Sequence, residues 1–282
     1  MDQIRPPAVA GSFYPFDTED LSALVDDCLL SSLLGPQGGD SLFPSPIGGM
    51  VPHAGLIYSG PCAAHFYAEL KKSVVYRVII LGVNHRARGH KAALSPWKIW
   101  RTPLGDVPID HALSEFLCAR VSFLDHDTRA HSEEHSIEVQ LPFLQRILKS
   151  FSLLPISLSH LSLEECMELG AAITELCTTQ PDGKAPIVVL ASSDLSHYLS
   201  PQRTDELDQM ALERVLALNP ADLLNVVEEK DISMCGVIPT AVMLYAVVGL
   251  GAQRGRLLKH YHSGNVSPME RVVGYASVAV EK

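Results

Sequence analysis

Apolar positions along the chain fall into two spacings. Residues 17–34 place Leu21, Leu24, Val25, Cys28 and Leu29 at helical intervals, with Asp17 or Thr18 as the cap. Residues 162–177 repeat the pattern with Cys166, Leu169, Ile173 and Leu176 inward. Short, mostly apolar stretches at 47–51, 78–81, 153–158 and 186–190 read instead as buried strands. Between these lie a predicted helix over 61–70 and loosely alternating strands at 92–99 and 104–109. A capped helix follows over 110–118, then a short strand at 121–124. A helix is expected to open near Arg129 and run to Lys149, with Pro142 either kinking it or marking a late start.

Residues 205–218 and 221–228 read as helices. Another begins at Met234-Cys235-Gly236 and is apolar almost all round to Leu250, which implies burial. Residues 256–262 and 271–280 close the chain as antiparallel strands at a sheet edge, joined by a turn at Ser263-Gly264-Asn265. The breaker-rich segment 5–15 reads as an extended arm packed on the body, and 35–49, rich in Gly, Pro and Ser, as a surface loop. Strands alternating with helices, without an internal repeat or linker, predict one domain over 1–282: a three-layer α/β/α sandwich with a mixed central sheet.

Composition narrows the function. Hydrophobic residues make up 47% of the chain, enough for a packed core. The formal charge of −10, without a basic stripe, argues against nucleic acid and against anionic membrane surfaces as partners. No apolar run reaches transmembrane length, and no hydrophobic signal core follows Met1. The six cysteines, at 28, 62, 118, 166, 177 and 235, form no Cys-x-x-Cys pair. Reduced thiols in the cytoplasm are expected.

Candidate chemistry gathers where predicted strands end. His53 follows the strand at 47–51, His85 the strand at 78–81, and Asp194 with His197 the strand at 186–190. In open α/β sheets ligands bind beyond the carboxyl ends of strands. Glu134 with His135, and Cys235 at a helix start, add further polar groups. Such a set suits a first-row transition metal, with two imidazoles and one anion drawn from Asp194, Glu134 or the Cys235 thiolate. A thiol at a helix N-terminus is expected to have a lowered pKa. Two other readings of residues 192–198 stay open: a hydrolytic triad of Ser193, Asp194 and His197, and a plain capped loop. No Gly-x-Ser-x-Gly elbow supports the triad.

Seven motifs together resemble the Memo family. They are Arg5-x-Pro-Ala-Val-Ala-Gly11-x-Phe-Tyr-Pro15, Val51-Pro-His53-Ala-Gly55, Leu81-Gly-x-Asn84-His85, Glu134-His135-Ser-Ile-Glu138, Ser192-Ser-Asp194-Leu-Ser-His197-Tyr198, Cys235-Gly236, and Ser263-Gly264 with Val272-Val-Gly274-Tyr275. They span nearly the whole chain in one order. The resemblance implies a fold like that of class III extradiol dioxygenases, with His53, His85 and Cys235 as metal ligands and His197, beside Asp194, as acid or base. Cys235 stands where those dioxygenases carry a carboxylate. The expected cofactor is iron(II) or copper, with zinc less favoured. The expected activity is a dioxygenase-like redox reaction on a small molecule, with a non-enzymatic metal- or peptide-binding scaffold as the alternative. In prokaryotes the family's AmmeMemoRadiSam system protein B implies AMMECR-type and radical-SAM proteins as partners.

Overall fold

The computed structural model describes residues 3–36, 45–70, 76–180 and 185–282. Most of the predicted loop at 35–49, residues 37–44, lies outside the described residues. The first half of the chain runs β1 (Ile4–Arg5), α1 (Thr18–Leu30), β2 (Gly48–Val51), α2 (Leu56–Ala68), β3 (Tyr76–Val83), β4 (Ala92–Leu94), β5 (Ile99–Thr102), β6 (Gly105–Pro108), α3 (His111–Cys118) and β7 (Leu124–His126). A 3-10 turn at Glu138–Gln140 leads into α4 (Leu141–Ile147), β8 (Phe151–Leu158), α5 (Leu163–Thr178) and β9 (Ile187–Ser192). The rest is β10 (His197–Leu199), α6 (Pro201–Leu216), α7 (Pro220–Glu229), α8 (Val237–Gly249), β11 (Arg254–His262) and β12 (Val272–Glu281).

The large sheet is mixed. β2, β9, β3 and β8 are parallel neighbours in that order. β12 joins β2 antiparallel, and β4 joins β8 antiparallel and carries β7. β11 lies antiparallel on β12 at the edge, as expected. Because successive strand residues face opposite sides, β3 feeds two cores. Ile79 and Leu81 pack with α3, α5, α6, α7 and α8, while Val78 and Ile80 pack with α1, α2 and α4. The result is the three-layer α/β/α sandwich.

Local chemistry explains the element starts. The Asp17 side chain accepts from the backbone of Glu19 and Asp20 and caps α1. Ser162 and Glu165 close a reciprocal capping box on α5. Several predicted starts shift by a few residues, among them α6, β7 and α8, and two bear on the site. α2 begins at Leu56, so Gly60 and Pro61 lie inside it; residues 59–64 are all buried, and packing outweighs the proline penalty. The helix expected from Arg129 does not form there. The chain stays irregular to Glu138, and Pro142 is the second residue of α4, where its missing N–H costs nothing.

A small sheet, β1–β5–β6, lies outside the main one and was not expected from the pattern. It anchors the N-terminal arm. The Arg5 guanidinium lies 4.0 Å over the Trp100 ring and pairs with Glu138 at 2.5 Å, both side chains fully buried. Glu138 also accepts from the backbone of Ala8 and Val9 and from the Tyr14 hydroxyl. Burial, then the Glu138 charge, pushes the Tyr14 phenol upward, so it stays a donor.

Candidate metal centre

β2, β9 and β3 end at one level, with Val51 opposite Ser192 and Ala191 opposite Leu81. Their carboxyl ends therefore present His53, Asp194 and His85 along one edge of the sheet. The loop that carries Glu134, His135 and Ser136 crosses that edge. It lies close because residue 82 is glycine: a Cβ there would meet Ile137 Cγ1 at 2.4 Å and Ser136 Oγ at 2.7 Å.

Three imidazoles converge. His53, His85 and His135 each bring a ring nitrogen within 4.8 Å of the others. The His85 and His135 rings stack at 4.5 Å and 17°, and His53 stands edge-on to both at 5.1 and 5.4 Å. His53 is buried, while His85 and His135 keep 30% and 20% of their side-chain surface open, so the cluster faces solvent on one side.

Glu134 stands behind two of the rings. Its carboxylate accepts from His85 N, His135 N and Ser136 N, and lies 2.9 Å from His85 Nδ1 and 3.3 Å from His135 Nδ1. Burial alone would raise its pKa. The hydrogen bond and charge of His85, with His135 and the Ser136 amide, outweigh burial and hold it down at about 2. An ionised carboxylate only accepts, so His85 Nδ1–H donates to Glu134, while His135 Nδ1 lies near the same oxygen. His85 Nε2 is left as the lone-pair nitrogen. His53 Nδ1 meets Ser192 Oγ at 3.0 Å, and its Nε2 faces the Cys235 sulfur. Burial first, then the neighbouring imidazoles, lowers His53; burial also brings His135 to about 4 against the opposing pull of Glu134. Both are neutral rings at ordinary pH, the form that binds metal.

Among the residues predicted from sequence, His53 and His85 are brought together. His135, named there only beside Glu134, completes the trio in place of an anion. Cys235 adjoins it, with Sγ 3.2 Å from His53 Nε2. Gly236 allows this approach, since a Cβ there would meet Ser193 Cβ at 2.4 Å. The lowered thiol pKa expected at a helix N-terminus is reversed: burial of the sulfur, then the Asp194 charge, pushes it upward. Asp194 is not aimed at the rings by the oxygen it uses locally, since Oδ1 accepts from the backbone of His53 and Ala54. Burial raises its carboxyl to about 6 despite those bonds. His197 holds Nδ1 2.8 Å from the Ser233 carbonyl, which fixes that nitrogen as the donor and leaves Nε2 basic. Tyr198, next to it, is exposed and holds a left-handed φ of 58°. Ser193 Oγ bonds the Asp194 carbonyl and the Gly236 amide, not His197, so no hydrolytic triad forms.

The surroundings are set by the N-terminal arm. Phe13 packs on the His135 ring at 4.4 Å. A mainly apolar groove of about 500 Å³ opens beside it, lined by Phe13, Tyr14, Pro15, Leu24, Ile57 and Tyr58. Just past His85 in the chain, Arg86 and Arg88 share the carboxylate of Glu133.

Fold and site together define an α/β/α protein with a candidate three-histidine metal centre at its strand ends. The sequence matches the family model described as Memo-like protein over residues 5–279. The chain is 40% identical to a MEMO1 family protein of Methanopyrus kandleri over 285 residues, covering 99% of each. It is 39% identical to one of Methanocaldococcus jannaschii over 292 residues, covering 100% of each. It is 42% identical to one of Ignicoccus hospitalis over 284 residues, covering 98% of each. The chain belongs to the Memo family. Among the described residues no helix is long and apolar enough to cross a membrane.

Proposed function

We propose that this chain is a cytoplasmic metal-dependent redox enzyme that holds iron(II) or copper on His53, His85 and His135. The observation that carries the reading is the convergence of three imidazoles, with His85 Nδ1 held by Glu134 and His53 Nδ1 by Ser192. Nitrogen donors sharing one ion lie about 2.0–2.1 Å from it, so the three nitrogens, within 4.8 Å of one another here, would draw closer on binding. Cys235 is a further donor in this reading. Its sulfur already lies beside His53 Nε2, and a bound cation would favour the thiolate that burial opposes. When bound, such an ion supplies Lewis-acid and one-electron chemistry.

The chain's own groups supply the rest. His197 Nε2 takes up or delivers a proton, since its Nδ1 is committed to Ser233. Asp194 fixes the turn after β2 through the His53 and Ala54 amides and carries charge beside His197. Phe13 excludes water from one face of His135, and the groove beyond it accepts the apolar body of a small substrate. The groove also favours a second reading, a non-enzymatic scaffold that docks a peptide there. AMMECR-type and radical-SAM proteins are the proposed partners.

Anaerobic purification with elemental analysis, followed by oxygen uptake over small phenols, separates these readings. Stoichiometric iron or copper with turnover supports the enzyme. Metal or peptide binding without turnover supports the scaffold, and stoichiometric zinc with esterase or phosphatase turnover displaces both. His197→Ala is expected to keep the metal content and lose about 10²–10⁴-fold in any proton-coupled turnover. Loss of metal in that variant would instead make His197 a ligand. Cys235→Ser is expected to weaken copper(I) binding more than iron(II) binding, because a hydroxyl is a poor soft donor. Equal loss for both metals in titrations would remove the sulfur from the donor set.

A further inference from the structure

Behind the trio runs a buried chain of hydrogen bonds of which the reading above uses only the Ser192 end. The Tyr67 hydroxyl on α2 donates to Gln140 Oε1 at 2.6 Å. Gln140 Nε2 donates to the Pro52 carbonyl at 2.9 Å and to Ser192 Oγ at 2.8 Å. Ser192 Oγ donates to the Ser136 carbonyl at 2.6 Å and meets His53 Nδ1 at 3.0 Å. Tyr67, Gln140, Ser192, Ser136 and His53 are all at most 1% exposed.

The donor inventory of these groups leaves one arrangement. A carbonyl oxygen only accepts, so the single Ser192 proton goes to Ser136. The Gln140 amide is fixed in the same way, with its NH2 toward the Pro52 carbonyl and its oxygen toward the Tyr67 hydroxyl. Ser192 Oγ therefore accepts from Gln140 and has one lone pair left. His53 Nδ1 fills it only as N–H. The imidazole is thus set in the Nδ1–H tautomer before any ligand arrives.

Ser136 ties this chain to the second anchor. Its amide N–H is on Glu134, which orients His85 and His135, and its Oγ bridges the amide and carbonyl of Val83 at 2.9 and 3.0 Å. Val83 is the last residue of β3, two before His85. One serine, inside the Glu134-His135-Ser136-Ile137-Glu138 motif, thereby connects the groups that set all three rings.

We infer that the Gln140–Ser192–Ser136 relay is a positioning device that selects the metal-binding tautomer of His53 and locks it in register with His85 and His135. The inference rests on the metal reading of the trio for its purpose, but the tautomer itself is a property of the metal-free protein. Outer partners of ligand histidines raise metal affinity by fixing tautomer and ring orientation, and their loss costs about 10–100-fold.

Long-range proton–nitrogen NMR of metal-free protein labelled with ¹⁵N-histidine tests this directly. Wild type is expected to show His53 with its proton on Nδ1, assigned by comparison with His53→Gln. Ser192→Ala is expected to lose that single-tautomer signature and to bind iron(II) about 10–100-fold more weakly in titration. Ser192→Thr, which keeps the hydroxyl in a strand that favours β-branched residues, is expected to restore both. An Nε2–H tautomer in wild type would overturn the relay whether or not the variants fold. So would a Ser192→Ala protein with unchanged tautomer and affinity. If wild type bound no metal at the trio yet showed the Nδ1–H tautomer, the metal reading would fall and the relay would stand.

Discussion

His135→Ala is expected to reduce iron or copper affinity by more than the roughly 10–100-fold that losing an outer partner costs, while the protein stays folded. The ring supplies one of three converging nitrogens and is stacked on another, so its loss removes a donor and loosens His85. Little else depends on it. His135 lies in an irregular stretch, is partly open to solvent, and its backbone N–H on Glu134 survives the substitution. His53→Ala and His85→Ala should act alike. Equilibrium metal titration with circular dichroism separates donor loss from unfolding. Retained affinity in the folded His135→Ala protein would return the third position to Cys235 alone.

Arg5→Met is expected to destabilise the protein by about 3–5 kcal/mol, the cost of leaving one member of a buried ion pair uncompensated. Arg5 and Glu138 are both fully buried, and Arg5 makes further bonds to the carbonyls of His131 and Glu134. Removing the guanidinium strands Glu138, which must also hold Ala8, Val9 and Tyr14. That links stability to the site, because the arm pinned by Glu138 carries Phe13 onto His135. Combining Arg5→Met with Glu138→Gln should recover part of the loss. Urea unfolding checks the magnitude, and a cost under about 1 kcal/mol, the size of an exposed pair, would contradict the buried-pair account.

The sandwich was legible in the sequence because buried parallel strands read as near-continuous apolar runs, and those at 78–81, 153–158 and 186–190 all lie in the central sheet. His53 and His85 were legible for the same reason: once the strands are placed, strand ends in an open sheet point to ligands. His135 was harder to see. Pro142 left two readings of where its segment turns helical, and only the late start frees residues 131–137 to cross the strand ends. In the small β1–β5–β6 sheet only β6, inside the alternating stretch 104–109, was signalled; β1, with two residues, is too short to show a period. The thiol pKa of Cys235 went the other way because the helix-end rule ignores burial, and burial prevails here. The relay behind His53 was invisible in principle, since it joins side chains 52 and 73 positions apart.

In the proposed function three imidazoles of this chain share one metal ion. X-ray absorption on wild-type protein loaded with one equivalent of iron(II) or copper tests it most directly. The account predicts three imidazole nitrogens at roughly 2.0–2.1 Å, with a sulfur scatterer present in wild type and absent in Cys235→Ser, and loss of the imidazole pattern in His53→Ala/His85→Ala. A metal shell of oxygen donors only, or one unchanged in that double variant, would contradict it.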